Sequence, residues 1–401
     1  MVKRVVLAYS GGLDTSVAVR WLTETAGVEV IALAADVGQG GDLAGLPERA
    51  RAAGAVEAMV VDAREEYASD FLVPALAANG LYEGRYPLVS ALSRPLIARH
   101  LVAAARYHGA DAVAHGCTGK GNDQVRFEVS VRALAPDLEV LAPVRSWGLT
   151  RDDAIAYAQR HAIPVPGVTR DKPYSIDENL WGRAIECGVL EDPWAEPPAD
   201  VYALTRPTAT GPSELVVGFE AGVPVSLDGR ALGLVELVAE VTARVGAHGW
   251  GRLDLVENRR VGIKSREVYE VPGALALILA HRDLEDLTLE RDLAHEKLRL
   301  EPRWAELVYD GLWFSPLKAA LDAFMGRAQS SVTGEVRLAC GPGTCRVAGR
   351  RSPVSLYDHA LATYDAEDSF RHADSAGFVR LWGLGLETWA ARQGTDGGAR
   401  P

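Results

Sequence analysis

The sequence predicts an α/β nucleotide-binding domain on a parallel sheet, followed by an α+β domain and a C-terminal helix. Three observations carry this. Apolar runs at Val5 to Ala8, Glu29 to Ala35, Ala58 to Asp62, Asp111 to His115 and Glu139 to Val144 alternate with helix-like stretches such as Ser16 to Thr25 and Leu92 to Tyr107, the rhythm of βαβ units with helices on both faces of a sheet. From about Pro164 that rhythm stops. Proline-rich loops at Ile163 to Pro173 and Pro193 to Pro198 lead into hairpin-like strands on either side of Glu220-Ala221-Gly222 and a Val-Ser-Leu-Asp-Gly turn. Last, Ala376 to Arg392 puts Phe378, Leu381, Trp382, Leu386 and Trp389 at helical spacing, a stripe that suits either the core or a partner subunit. The expected domains are residues 1–165, 166–370 and 371–401, the last ending in a polar tail from Gln393.

Bulk composition narrows the function. With 401 residues, 48% of them hydrophobic, the chain can bury a large core. A net charge of -12 argues against a broad basic surface for nucleic acid or anionic lipid, which leaves small-molecule chemistry as the starting point. MVKRVVLAYS runs straight into a glycine turn with no room for a signal peptide's apolar core, and no apolar run is long enough to span a bilayer; a cytoplasmic location is expected. Cys117, Cys187, Cys340 and Cys345 are scattered and read as reduced and structural, with zinc the alternative for the one close pair.

The first strand runs into Tyr9-Ser10-Gly11-Gly12-Leu13-Asp14-Thr15-Ser16. If Ala8 ends the strand and Thr15 begins a helix, the two glycines let the backbone pass close to a ligand while the first helical amides point at it. An anion fits there. The hydroxyls of Ser10, Thr15 and Ser16 add donors, and Asp14 reads as a magnesium ligand or as an organiser of the turn. A helix terminus gives a single exposed charge only about 0.3–1 kcal/mol, so a pyrophosphate would also need a metal or basic residues. Neither the Gly-x-x-x-x-Gly-Lys-Ser/Thr loop nor the Gly-x-Gly-x-x-Gly turn occurs here. The string SGGLDTS instead resembles the pyrophosphate loop of the ATP pyrophosphatases, of adenine nucleotide alpha hydrolase-like fold, which split ATP between the α and β phosphates.

A second glycine turn, His115 to Glu128 (HGCTGKGNDQVRFE), precedes another helix-like stretch. Together with AYSGGLDTS, SRPLIARHL, DKPYSIDENLWGR and VENRRVGIKSREVYE, it makes the chain resemble the argininosuccinate synthase family from about residue 3 to about residue 390. The resemblance implies condensation of L-citrulline with L-aspartate at the expense of ATP, through a citrullyl-adenylate, releasing AMP and pyrophosphate in arginine biosynthesis. It implies a nucleotide-binding domain, a synthetase domain and a C-terminal helix that ties together a homotetramer.

Matched motif by motif, the resemblance puts ATP at Ala8, Tyr9, Ser10, Gly11, Gly12, Leu13, Asp14, Thr15, Ser16, Ala35 and Gly116. Aspartate falls on Thr118, Asn122 and Asp123, and citrulline on Tyr86, Asn122, Arg126, Ser175, Glu257 and Tyr269. Ser10, Asp14 and Asp123 are the expected catalytic residues; magnesium is the expected cation, its ligands unassigned. Arg126 can fork onto an α-carboxylate, Glu257 can pair with an α-amine, and Asp123 suits an ammonium. Singly, each residue also has an ordinary reading: Arg126 and Glu128 as solvated helix charges, Glu257 as a cap for Arg259 or Arg260, Tyr86 and Tyr269 as core rings. Their joint occurrence in matching strings favours the site; Lys120, a loop lysine, is left out.

Two positions depart from the family pattern. Many members carry serines where this chain has Ala91 and Ala184, and each lost hydroxyl weakens citrulline binding by about 0.5–1.5 kcal/mol unless Ser90 or Ser93 replaces one. Two other readings compete. A tRNA-thiolating or amidating ATP pyrophosphatase would show a basic RNA face with a cysteine pair, or a glutaminase cysteine, and this chain has neither. A non-catalytic binding relative would have lost polar site residues, whereas Ser10, Asp14, Thr118, Asn122, Asp123 and Arg126 are all present.

Overall fold

The computed structural model describes residues 2–165, 174–365 and 367–393; most of the expected proline-rich loop (166–173) and of the polar tail (394–401) lies outside them. In the first sheet β1 (Arg4–Ala8), β2 (Glu29–Asp36), β3 (Glu57–Asp62), β4 (Ala112–Ala114) and β5 (Glu139–Leu141) run parallel in the order β3-β2-β1-β4-β5. Its strands read as unbroken apolar runs because both faces are buried. Val5, Leu7, Val30 and Ala32 pack under helices Leu13–Ala26, Leu46–Ala53 and Arg151–Arg160, while Val6, Ile31, Leu33 and Val113 meet Ala98, Leu101, Phe127 and Val131 of helices Val89–His108 and Asp123–Leu134. The expected fifth run was too long. Ala142 leaves the sheet and Pro143 starts a short helix, Pro143–Ser146.

Two antiparallel sheets follow. β6 (Ser175–Asn179), β7 (Gly182–Glu186), β11 (Arg252–Asn258) and β12 (Lys264–Glu270) make one, in the order β11-β12-β7-β6. β8 (Ser213–Glu220), β9 (Val223–Leu227), β10 (Arg230–Ala231), β13 (Gly334–Gly341) and β14 (Thr344–Arg351) make the other. The four-stranded sheet matters for the site. Asn179 donates to the Val89 carbonyl (2.9 Å), Trp181 Nε1 to the Pro87 carbonyl (2.9 Å), and the Leu180 amide to the Val37 carbonyl at the end of β2 (2.8 Å). These bonds fix the β6–β7 hairpin beside the carboxyl ends of the parallel strands.

The chain divides into two compact units, residues 1–354 and 355–401. The second consists of a short helix, His359–Ala362, and the helix His372–Gln393, on which Phe378, Leu381, Trp382, Leu386 and Trp389 all stand exposed. The core reading of that stripe does not hold.

Candidate active site

Strand order reverses between β1 and β4, and in open α/β sheets that reversal opens a crevice beyond the carboxyl ends. Here it is a cavity of about 680 Å³ bordered by both glycine turns and by the four-stranded sheet.

The first turn is tighter than expected. The helix begins at Leu13, two residues earlier than Thr15, with Gly12 extended (φ -77, ψ 175) as its N-cap and no side chain capping it. Gly11 takes φ +75, a conformation that glycine adopts without strain. Ser10 and Thr15 hydroxyls are 3.1 Å apart, and the Gly12 amide donates to Ser10 Oγ (3.4 Å). Ser10, Asp14 and Thr15 line the cavity beside uncapped helical amides. Ser16 does not contribute a donor: it is fully buried, and its hydroxyl pairs with Tyr9 OH at 3.1 Å beneath the turn. Burial raises the Asp14 carboxyl above its ordinary range, and the charge of Arg151 draws it partly back. Gly116 follows β4 where the turns converge; a Cβ there would stand 2.7 Å from the Thr15 methyl.

The second turn is held by Gln124, which donates to the carbonyls of Gly119 (2.6 Å) and Gly121 (3.2 Å). Thr118 is exposed, whereas Asn122 is buried and accepts from the Arg260 amide at 2.9 Å. Asp123 sits between two guanidiniums, with Arg94 Nη2 and Arg126 Nη1 each 2.7 Å away. Burial pushes its carboxyl up, but the two arginines outweigh that and hold it down at about 2. Arg94 also binds Asp177 (2.8 Å), which accepts from Ser90. Asp123 is therefore engaged by the protein's own cations, where the sequence reading left it free for an ammonium.

A third corner comes from the four-stranded sheet. Cross-strand partners share a face, so the registers Ser175↔Glu186, Asp177↔Ala184↔Tyr269 and Glu257↔Ser265 turn one face toward the cavity. The other face packs Ile185 and Val268 into a small apolar cluster. Tyr86 stacks on Tyr269 with ring centroids 4.4 Å apart. Glu257 is buried, accepting from Tyr269 OH and from Tyr309 OH (2.8 Å). Tyr269 OH also lies 2.6 Å from Glu267. The Glu257 carboxyl rises to about 7, first through burial and then through the Glu267 charge, against the Tyr269 and Tyr309 hydrogen bonds that draw it down. Arg126 spends Nε on the Tyr309 carbonyl (3.0 Å) and Nη1 on Asp123, leaving Nη2 as the nitrogen for a carboxylate rather than a full fork.

Of the expected residues, Ala8, Tyr9, Ser10, Asp14, Thr15, Ala35, Tyr86, Gly116, Thr118, Asn122, Asp123, Arg126, Ser175, Glu257 and Tyr269 line this one cavity; Gly11, Gly12, Leu13 and Ser16 shape the turn from behind. Ala184 lines it too, but Ala91 does not. Of the proposed substitutes, Ser90 reaches the cavity, while Ser93 is fully buried and donates to the Ser90 carbonyl. The sequence reading did not single out Arg94, Asp177, Arg259 and Glu267 as site residues although they stand inside the matching strings; Arg49 lies outside those strings.

Comparison with known proteins identifies the family. The family model described as arginosuccinate synthase N-terminal HUP domain matches residues 4–164, and that described as arginosuccinate synthase C-terminal domain matches residues 174–389. Curated argininosuccinate synthases from Bacillus licheniformis and Bacillus pumilus are each 58% identical over 385 residues, covering 95% of this chain and 95% of theirs. A solved NAD+ synthetase from Burkholderia pseudomallei is 20% identical over 42% of this chain and 61% of that one, with a TM-score of 0.27, too slight a likeness to argue from.

Proposed function

The chain belongs to the argininosuccinate synthase family, and from that premise we propose how its residues carry the reaction. The activity is ATP-dependent ligation of L-citrulline and L-aspartate in arginine biosynthesis. Its first difficulty is that a ureido oxygen is a poor nucleophile, so it must be held in line with the α-phosphate while pyrophosphate leaves. The adenine lies against Ala35 and Gly116, and the β,γ-phosphates lie over the turn from Ser10 to Thr15, whose uncapped amides and hydroxyls stabilise the leaving group. Citrulline's α-ammonium pairs with Glu257 and its carboxylate with Arg126 Nη2, beside the stacked Tyr86 and Tyr269 rings. Aspartate enters beside Thr118, Asn122 and Asp123, and its amine attacks the carbon of the citrullyl-adenylate, expelling AMP.

Magnesium fits the donor set. Asp14 with the Ser10 and Thr15 hydroxyls offers hard oxygen ligands, and no cluster of three or more acidic, His or Cys side chains suited to a metal occurs among the described residues, so phosphate would supply the remainder. The cation, when bound, neutralises phosphate charge. We further propose a cytoplasmic homotetramer organised as residues 1–165, 166–370 and 371–401. No helix among the described residues is long and apolar enough to cross a membrane.

The observation that carries this reading is a single cavity joining the Ser10–Thr15 turn to the Glu257–Tyr269–Arg126 corner. The test is to incubate the protein with MgATP, omit citrulline or aspartate in turn, and identify products by mass. Pyrophosphate should require citrulline, and argininosuccinate should require both. Formation of ADP, or cleavage driven by aspartate alone, would overturn the proposed order.

A further inference from the structure

The Ser10–Thr15 turn offers amides and hydroxyls to pyrophosphate but no fixed positive charge, and a helix terminus alone is too weak to hold several negative charges. Four arginines line the cavity: Arg49, Arg94, Arg126 and Arg259. Three of them are committed. Arg94 and Arg126 clamp Asp123, and Arg259 bridges Glu186 and Glu267 at 2.7 Å each. Arg49 differs. It stands on the helix Leu46–Ala53, and its guanidinium lies near Gly11: a Cβ built there would meet Leu46 Cδ2 first, and lie 3.6 Å from Arg49 Nη2 and 3.9 Å from Nε.

Its Nη1 pairs with Asp42 at 2.8 Å and its Nη2 with the Asp42 carbonyl at 3.1 Å, whereas its Nε is buried with no partner among the described residues. The Asp42 side chain is 65% exposed, so that ion pair contributes little and competes poorly with a phosphate. A buried, unpaired guanidinium nitrogen is costly to leave unsatisfied, and Arg49 lines the same cavity as Ser10, Asp14 and Thr15 of the glycine turn.

We propose that Arg49 is the cation of the pyrophosphate subsite, donating to the β,γ-phosphates of ATP and to the departing pyrophosphate. This rests on the reading of the Ser10–Thr15 turn given above. Asp42 is the exposed ion-pair partner that phosphate displaces.

Calorimetric titration of the full-length protein with magnesium pyrophosphate, and separately with AMP, tests the assignment in wild type, Arg49→Met, Arg49→Lys and Asp42→Asn. Arg49→Met should weaken pyrophosphate binding and raise the KM for ATP by roughly ten- to a hundredfold, the range of a lost charge-assisted bond, with AMP affinity unchanged. Arg49→Lys should recover part of the loss. Asp42→Asn breaks the same ion pair but keeps the cation, and should leave pyrophosphate affinity at or above wild type. Unchanged pyrophosphate affinity in Arg49→Met, equal losses for AMP and pyrophosphate, or an equal loss in Asp42→Asn would overturn the assignment. A wild type that binds no pyrophosphate would instead overturn the underlying site.

Discussion

Glu257 shows how much one carboxyl's surroundings decide. Its carboxyl rises from 4.5 to about 7 because burial and Glu267 oppose its charge, against the pull of two tyrosine hydroxyls and Arg126. Pairing with an ammonium requires the ionised form, so citrulline affinity should fall as pH drops below about 7, approaching tenfold per pH unit. Glu257→Gln should bind citrulline weakly and without that slope; a slope that persists in the variant would assign it to another group. The effect on folding has the opposite sense. Between 4.5 and about 7 the folded state holds a proton that the unfolded chain has lost, so this group lowers stability as pH rises through the window, and thermal melts of the ligand-free protein should show the decline shrink in Glu257→Gln. Asp123 needs a different test, because Arg94 and Arg126 already hold it. Asp123→Asn keeps one acceptor while removing the charge. If Asp123 serves aspartate, the variant still exchanges labelled pyrophosphate into ATP with citrulline present, yet makes argininosuccinate at least roughly a hundredfold more slowly, the scale of a broken buried pair. Loss of both activities in a folded variant would mean that Asp123 acts by holding its two arginines.

Between elements, the turn after β1 and the turn after β4 pack together where Gly116 faces the Thr15 methyl. Gly116→Ala puts a Cβ 2.7 Å from Thr15 Cγ2, so the Ser10–Thr15 turn must shift and the KM for ATP should rise several-fold. Thr15→Ser removes that methyl while keeping the hydroxyl, and the double variant should recover most of the loss. Additive losses would place the defect elsewhere. The same elements mark how far the sequence could be read. Parallel strands buried on both faces leave apolar runs that a sequence shows directly, and the glycine turn stands out because so few residue types fit it. The helix start was misplaced because Gly12 caps the helix with backbone geometry alone, which leaves no side-chain signal at Leu13. The acidic corner was half visible: Glu257 and Tyr269 came from motif matching. That Glu267, Asp177 and Arg259 face the same cavity depends on a register between strands far apart in sequence, which no local pattern encodes. Arg49 was invisible for the same reason, since only the fold brings it near Gly11.

At the scale of the whole molecule, the C-terminal helix is the element whose role the sequence left open between core and interface, because a helical apolar stripe looks alike in both. In the described chain Phe378 and Trp382 stack with centroids 5.8 Å apart, yet Leu381 is 74% exposed, Trp382 80% and Leu386 69%. Apolar surface left in water costs about 25 cal/mol per Å², and large apolar side chains exposed together along one helix mark an interaction surface. A second copy of the chain is the occupant that the proposed homotetramer implies. The intact protein should therefore scatter light as a tetramer, and truncation after Asp374 should lower its oligomeric state. Trp382→Glu offers a gentler change that keeps the helix. Because the contact would be apolar rather than ionic, dissociation in that variant should depend on protein concentration and hardly on salt. An intact chain that scatters as a monomer would sink the proposal. A truncated chain that remains tetrameric would move the interface off this helix, and some other partner would then have to cover the exposed tryptophans.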